Sequence, residues 1–200
     1  MSIFRRRLMM GQGESEPVPY DARIEYLEST GTQWIDTGII PDNDTGLSIK
    51  AYSSNTTDSY VVGLRNNAGN TRWCIGHSTG GYYYAINSTN SYRFATNPLE
   101  MFFNYLNSKM FRATGYGGHT LSSLSFVPTY NIRMFGSAGT VASYSKWAGR
   151  IYYLQITQGD SVVMNLIPVR VGTVGYMYDK VSKQLFGNDG TGDFILGGDI

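Results

Sequence analysis

The sequence predicts an all-β domain, a sandwich or barrel, on three observations. The 200 residues include 24 Gly, 16 Tyr, 9 Phe and 3 Trp with only 16% charged residues, a composition that suits pleated, half-buried strands and is thin in the helix formers Ala, Leu, Glu and Lys. Short apolar or alternating runs of about four to eight residues recur between clusters of Gly, Asn, Ser and Thr, as strands and turns do. No stretch keeps a helical period long enough to make a helix. A hydrophobic content of 42% is too high for a disordered chain, and no run approaches the roughly 18 apolar residues of a membrane-spanning helix. A chain of this length can bury about 70% of its unfolded surface, so it needs no metal or disulfide staple.

Residues 1–19 read as an arm and linker, and residues 20–200 as the domain. The arm sets Arg5, Arg6 and Arg7 between Phe4 and Leu8, with too few apolar residues after the arginines for a signal peptide. It is either an unstructured start or a docking peptide that orders in an acidic or apolar groove of a larger assembly. Without those three arginines the net charge falls from +1 to −2, so the body offers no basic stripe for nucleic acid. The single cysteine, Cys74, cannot form an internal disulfide, which favours folding in a reducing cytoplasm.

Along the domain, residues 24–29 and 33–36 flank Thr30-Gly31-Thr32 and read as a tight hairpin. Residues 46–53 alternate, with Leu47, Ile49 and Ala51 on one face and Ser48, Lys50 and Tyr52 on the other. Strands follow at 59–65, 72–76 and 82–86. A hairpin is expected at 101–113 around Asn107-Ser108, because asparagine tolerates the positive φ of a two-residue loop. Residues 131–136, 150–157, 161–169 and 175–179 complete the core strands, with Gln158-Gly159-Asp160 joining two of them.

Two segments carry a family resemblance. Ile24-Glu25-Tyr26-Leu27-Glu28-Ser29-Thr30-Gly31-Thr32-Gln33-Trp34-Ile35-Asp36-Thr37-Gly38 resembles the start of a concanavalin A-like, laminin-G-like jelly-roll domain. Domains of this kind occur in proteins of bacteriophages and prophages of gut bacteria and in surface proteins of those bacteria. Ala148-Gly149-Arg150-Ile151-Tyr152-Tyr153-Leu154-Gln155-Ile156, Asn165-Leu166-Ile167-Pro168-Val169-Arg170, Gly175-Tyr176-Met177-Tyr178-Asp179-Lys180-Val181-Ser182 and Leu185-Phe186-Gly187-Asn188 are similar to the closing strands of that group. The resemblance implies a jelly-roll sandwich of two antiparallel sheets with roughly six or seven strands each. It further implies a non-enzymatic virion part, of a fibre, tail or capsid decoration, assembled in the bacterial cytoplasm. Such a part would join other virion proteins through residues 1–19 and repeat as a homo-oligomer.

Hydrolases that share this sandwich present a Glu-x-Asp-x-x-Glu strand motif, and none is present here. Glu25 and Glu28 are three apart, while Asp36, Glu100 and Asp179 stand singly, so these acids are expected to cap turns or face solvent. His77 and His119 lie in Gly/Ser-rich stretches without a second ligand at metal spacing and read as surface-loop histidines. No cofactor is expected; Asp42-Asn43-Asp44 is a plain polar turn with calcium as the alternative. Cys74 has no histidine partner nearby and reads as an inert thiol.

Aromatic residues are what remains. A saccharide lays its C–H faces on flat rings while amides and carboxylates take its hydroxyls, and on that ground Trp34, Trp73, Tyr82, Tyr83, Tyr84 and His119 are candidate contacts for cell-surface glycans. Each ring has core packing as the competing reading. Strand alternation puts Tyr83 opposite Tyr82 and Tyr84, and turns Trp34 outward if Ile35 faces the core. Trp147, by the resemblance, is a core residue.

Overall fold

The structure, a computed structural model, describes residues 17–54, 58–66, 71–88, 90–94, 99–104, 110–115, 117–139 and 147–200. Among these there is no helix, and the strands form two antiparallel sheets. The larger sheet has eleven strands. Its path runs β11 (His119–Thr120), β10 (Met110–Ala113), β9 (Leu99–Asn104), β4 (Thr45–Ser53), β13 (Ala148–Gln158), β14 (Ser161–Val171), β15 (Val174–Asp179) and β16 (Leu185–Phe186). β13 is long enough to divide one edge between two partners. Ala148 to Ile151 pair with β2 (Leu27–Thr30), and Leu154 to Gln158 with β14. β1 (Ala22–Arg23) joins β14, and β17 (Ile195–Leu196) joins β2.

The smaller sheet has six strands in the order β3 (Ile35–Asp36), β12 (Arg133–Met134), β5 (Ser59–Arg65), β6 (Arg72–Ser78), β7 (Gly81–Ile86) and β8 (Asn90–Phe94). One core lies between the sheets. Leu27, Leu47, Ile49, Ile151, Leu154, Ile156 and Leu166 come from the large sheet, and Ile35, Val62, Leu64, Trp73, Ile75, Tyr82 and Met134 from the small one. Burial of each such Leu, Ile or Val side chain contributes about 1.5–3 kcal/mol. The core also takes in the fully buried Trp147, whose indole N–H donates to Ser53 Oγ at 3.2 Å on β4.

β4 alternates as expected, with Leu47, Ile49 and Ala51 buried and Ser48, Lys50 and Tyr52 partly exposed. β13 and β14 form the expected hairpin, closed by Gly159 at φ +59° and Asp160 between the paired residues Gln158 and Ser161. β9 and β10 also pair antiparallel, while Asn107-Ser108 lies outside the described residues.

Two expectations change. Residues 24–36 are not a hairpin, because β2 belongs to the large sheet and β3 to the small one. Leu27 and Ile35 enter the same core from opposite sides, and the chain crosses between the sheets at a corner held by the buried Gln33. Its Oε1 accepts from Thr30 N at 2.9 Å and Ser29 Oγ at 3.0 Å, and its Nε2 donates to the Asp193 carbonyl at 2.9 Å. The strand division is eleven to six, where roughly equal sheets were expected, because short pieces such as β1, β2, β11, β16 and β17 all add to the larger one.

Candidate functional site

The corner that begins at Gln33 delivers Trp34 to the surface. Ile35 is fully buried, so alternation turns its neighbour out, and Trp34 is half-buried. Residues 188–192 then close over the strand. Trp34 N–H donates to Asn188 Oδ1 (3.1 Å), the Trp34 carbonyl accepts from Asp189 N (2.8 Å), and the Thr32 carbonyl accepts from Thr191 N (3.1 Å). Asn188 Oδ1 also accepts from Gly190 N at 2.8 Å, and its Nδ2 donates to the Gly192 carbonyl at 2.6 Å. Gly190 is demanded by this closeness: a methyl there would run into the Thr32 carbonyl oxygen and come within 2.8 Å of Trp34 Cδ1.

A surface pocket of about 330 Å³ results, with Trp34, Arg133, Asp189 and Thr191 among its lining residues. Arg133 lies opposite Asp36 in the β3–β12 pairing, and its guanidinium carbon sits 3.7 Å from the centre of the Trp34 ring. Stacking of this kind contributes about 0.5–2 kcal/mol, more as water is removed. The guanidinium's other contacts are sparse. Nη1 donates to the Ser137 carbonyl at 3.4 Å, and the buried Nε has no hydrogen-bond partner. Burial pulls the pKa of Arg133 below its ordinary value, against the opposing charges of Asp36 and Asp189, yet an arginine stays protonated. Asp189 Oδ2 accepts from Asp36 N at 2.9 Å, and Asp36 Oδ1 accepts from Gly38 N at 2.8 Å. The pocket therefore offers an aromatic ring, a planar donor and the Asp189 carboxylate, with Asp36 behind them across the strand pair, a set able to hold a polyhydroxylated ligand.

The other aromatic candidates do not join it. Trp73, Tyr82 and Tyr84 are packed in the main core, at 1%, 0% and 6% exposure, so they present no open face to a sugar. Tyr83 does lie opposite Tyr82 and Tyr84, but it is buried with Tyr60, Cys74 and Ala85 on the other side of the small sheet. Gly76 makes room there, since a methyl at that position would strike the Tyr83 ring. His119 is half-buried in β11, on the other sheet from Trp34. Phe4, Arg5, Arg6, Arg7 and Leu8 lie outside the described residues.

His77 corrects its reading as a loop histidine. It sits in β6 at 8% exposure with its ring 4.7 Å from that of Tyr82, and burial lowers its pKa. Cys74 is buried, and desolvation pushes its thiol up to about 12, which removes the thiolate that reactivity needs. Asp42 Oδ1 accepts from Asp44 N at 2.9 Å and from Thr45 Oγ1 at 2.7 Å, and Asn43 Oδ1 accepts from Leu124 N at 2.8 Å. Residues 42–45 thus form a polar turn, tied through Asn43 to Leu124. Glu28 is ion-paired with Arg150 at 2.7 Å. Burial of Asp179 works to raise its pKa, but hydrogen bonds from Asn165 N, Val181 N and Ser182 N outweigh it, and the carboxyl is held below its ordinary value.

A second aromatic surface was not foreseen. The pairing of β13 with β4 shifts between Ile151 and Tyr153, and Ile151 and Leu154 are both buried with the half-exposed Tyr152 and Tyr153 between them. This bulge puts two consecutive tyrosines on the outward side of the large sheet. Tyr152 packs edge-on against Tyr26 at 5.7 Å, Arg150 lies over Tyr26 at 4.4 Å, and Lys50 over Tyr152 at 5.2 Å. Alternation in β4 marks Tyr52 and Lys50 as outward, but a bulge has no comparable sequence signal. Asp189 and Arg133 are also missing from the sequence-based candidates, since only folding brings residues 133 and 189 to Trp34.

No protein-family model matches the chain, and no curated protein matches it in sequence.

Proposed function

We propose that this chain is a non-enzymatic adhesion module of a bacteriophage particle, a concanavalin A-like jelly roll that binds a cell-surface saccharide at the Trp34 pocket. Its residues 1–19 fasten it to other virion proteins, it is assembled in the bacterial cytoplasm, and it works as a homo-oligomer. The observation that carries the binding part is the half-buried Trp34 ring with Arg133 stacked at 3.7 Å at the wall of an open pocket. A half-buried cation that closes no ion pair among the described residues is costly to keep for stability alone, and a ligand gives it a use. The attachment part rests on the arginine-bearing arm and the resemblance. Pro17, Val18 and Pro19 line a surface pocket together with Tyr178 and Lys183, and Asp21 N donates to the Arg170 carbonyl at 2.9 Å, so residues 17–21 lie beside β14 and β15.

A glycan array probed with the whole chain tests the first part. Binding that disappears in Trp34→Ala, with the folded state retained by thermal denaturation, supports it; binding unchanged by that substitution sinks the pocket assignment. Deletion of residues 1–19 tests the second part. Loss of incorporation into particles by a still-soluble domain supports an anchor, and unchanged incorporation overturns it. Sedimentation of the whole chain as a monomer at micromolar concentration would remove the homo-oligomer.

A further inference from the structure

Charge in the Trp34 pocket is unevenly divided. Arg133 is the only cationic side chain in its described lining, and two carboxylates stand near it. Asp36 occupies the position opposite Arg133 across the β3–β12 pair, where Cβ atoms lie about 4.5–5.5 Å apart. Asp189 is tied to Asp36 through the 2.9 Å bond from Asp36 N to Oδ2, and both acids act electrostatically on Arg133. Neither closes an ion pair with it. One oxygen of each carboxylate is engaged by a backbone N–H, which leaves Asp36 Oδ2 and Asp189 Oδ1 as acceptors. The guanidinium is held by the ring below it and by one long bond to Ser137, so donors remain on its edge.

We infer that the Trp34 pocket selects neutral saccharides over those bearing a carboxylate, with Arg133 donating to one hydroxyl and Asp189 accepting from another. Hydroxyls both donate and accept, so a neutral sugar uses the mixed set in full. A uronate or sialate carboxylate can only accept. It would gain one cation whose charge Asp36 and Asp189 already offset, and would add a further negative charge beside the Asp189 carboxylate, so its attraction to Arg133 is cancelled. The inference rests on the saccharide reading given under Proposed function, and its failure is distinct from the failure of that reading.

The test applies the whole chain to an array of neutral and carboxylate-bearing oligosaccharides, followed by titration calorimetry with oligogalacturonate and its methyl ester and with the strongest array hits. The expected result is binding confined to neutral members, with the acid at least about tenfold weaker than its ester and a neutral-ligand affinity that does not change with salt. Asp189→Asn keeps an acceptor for Asp36 N and removes one charge; it should bring the acid about three- to tenfold closer to the ester. Hits concentrated on uronates or sialates, or an acid that binds as tightly as its ester, would overturn neutral selection while leaving saccharide binding intact. No binding of either class would overturn the saccharide reading and this inference together.

Discussion

Arg133 lies 3.7 Å from the centre of Trp34, and Arg150 lies 4.4 Å from the centre of Tyr26. Arg150 stands on the outward side of the large sheet with its charge matched: Nε donates to Glu28 Oε2 at 2.7 Å, and that hydrogen bond raises its pKa above the ordinary value. Among the described residues Arg133 has no ion-pair partner, and it has an unpartnered Nε and a pKa lowered by burial. The two stacks show that an aromatic ring alone does not satisfy a guanidinium. Arg150 completes itself within the fold and ties β13 to β2, whereas Arg133 keeps donors open beside a pocket.

The largest effect that would break this contrast is at Gly190. Gly190→Ala should cost about 1–3 kcal/mol, because its methyl must push the Thr32 carbonyl and Trp34 apart; a melting temperature equal to that of the parent would show that the corner relaxes freely. Next come the two arginines, replaced by a side chain that keeps the stem. Arg150→Met strands the Glu28 carboxylate, whose side chain is 16% exposed, and should destabilise by about 1 kcal/mol. Arg133→Met removes a desolvated charge along with its stacking energy and should leave stability within about 0.5 kcal/mol of the parent, or above it, while saccharide binding is lost. Denaturant midpoints measured side by side decide this, and equal losses would erase the distinction between the two stacks.

Smaller still, Glu28→Gln should cost about 0.2–1 kcal/mol and lose most of that difference at high salt, since Arg150 is 36% exposed. Last, pH separates the sheets. The pKa of His77 is lowered in the folded state, so the unfolded chain takes up a proton first as pH falls below 6.5, and stability is lost on the acid side of that value. Asp179 contributes stability that is present above 3.8 and lost as pH falls through its lowered folded value. His77→Gln should abolish the first loss and keep the second; an unchanged acid profile would remove His77 from the account.

Much of the fold was legible from pattern. Leu47, Ile49 and Ala51 against Ser48, Lys50 and Tyr52 assigned both faces of β4, and residues 59–65 matched β5 because their apolar run ends in turn chemistry on both sides. Trp34 was legible through its neighbour Ile35. The same logic could not separate Tyr82, Tyr83 and Tyr84 from surface rings: alternation tells which residues share a face but not whether that face is covered, and here both faces are. His77 failed for a related reason. Its Gly and Ser neighbours resemble a loop, yet Gly76 serves to accommodate the Tyr83 ring across the strand pair.

By itself the sequence determined the class of structure, the outward turn of Trp34 and the division of charge between an arginine-bearing arm and a near-neutral body, because these depend on local periodicity and composition. Only the tertiary structure decided that β2 and β3 part into different sheets, that β13 carries a bulge, and that Arg133 and Asp189 meet at Trp34. Those contacts join residues roughly a hundred or more positions apart, and they are set by the packing of one shared core, which no local spacing records.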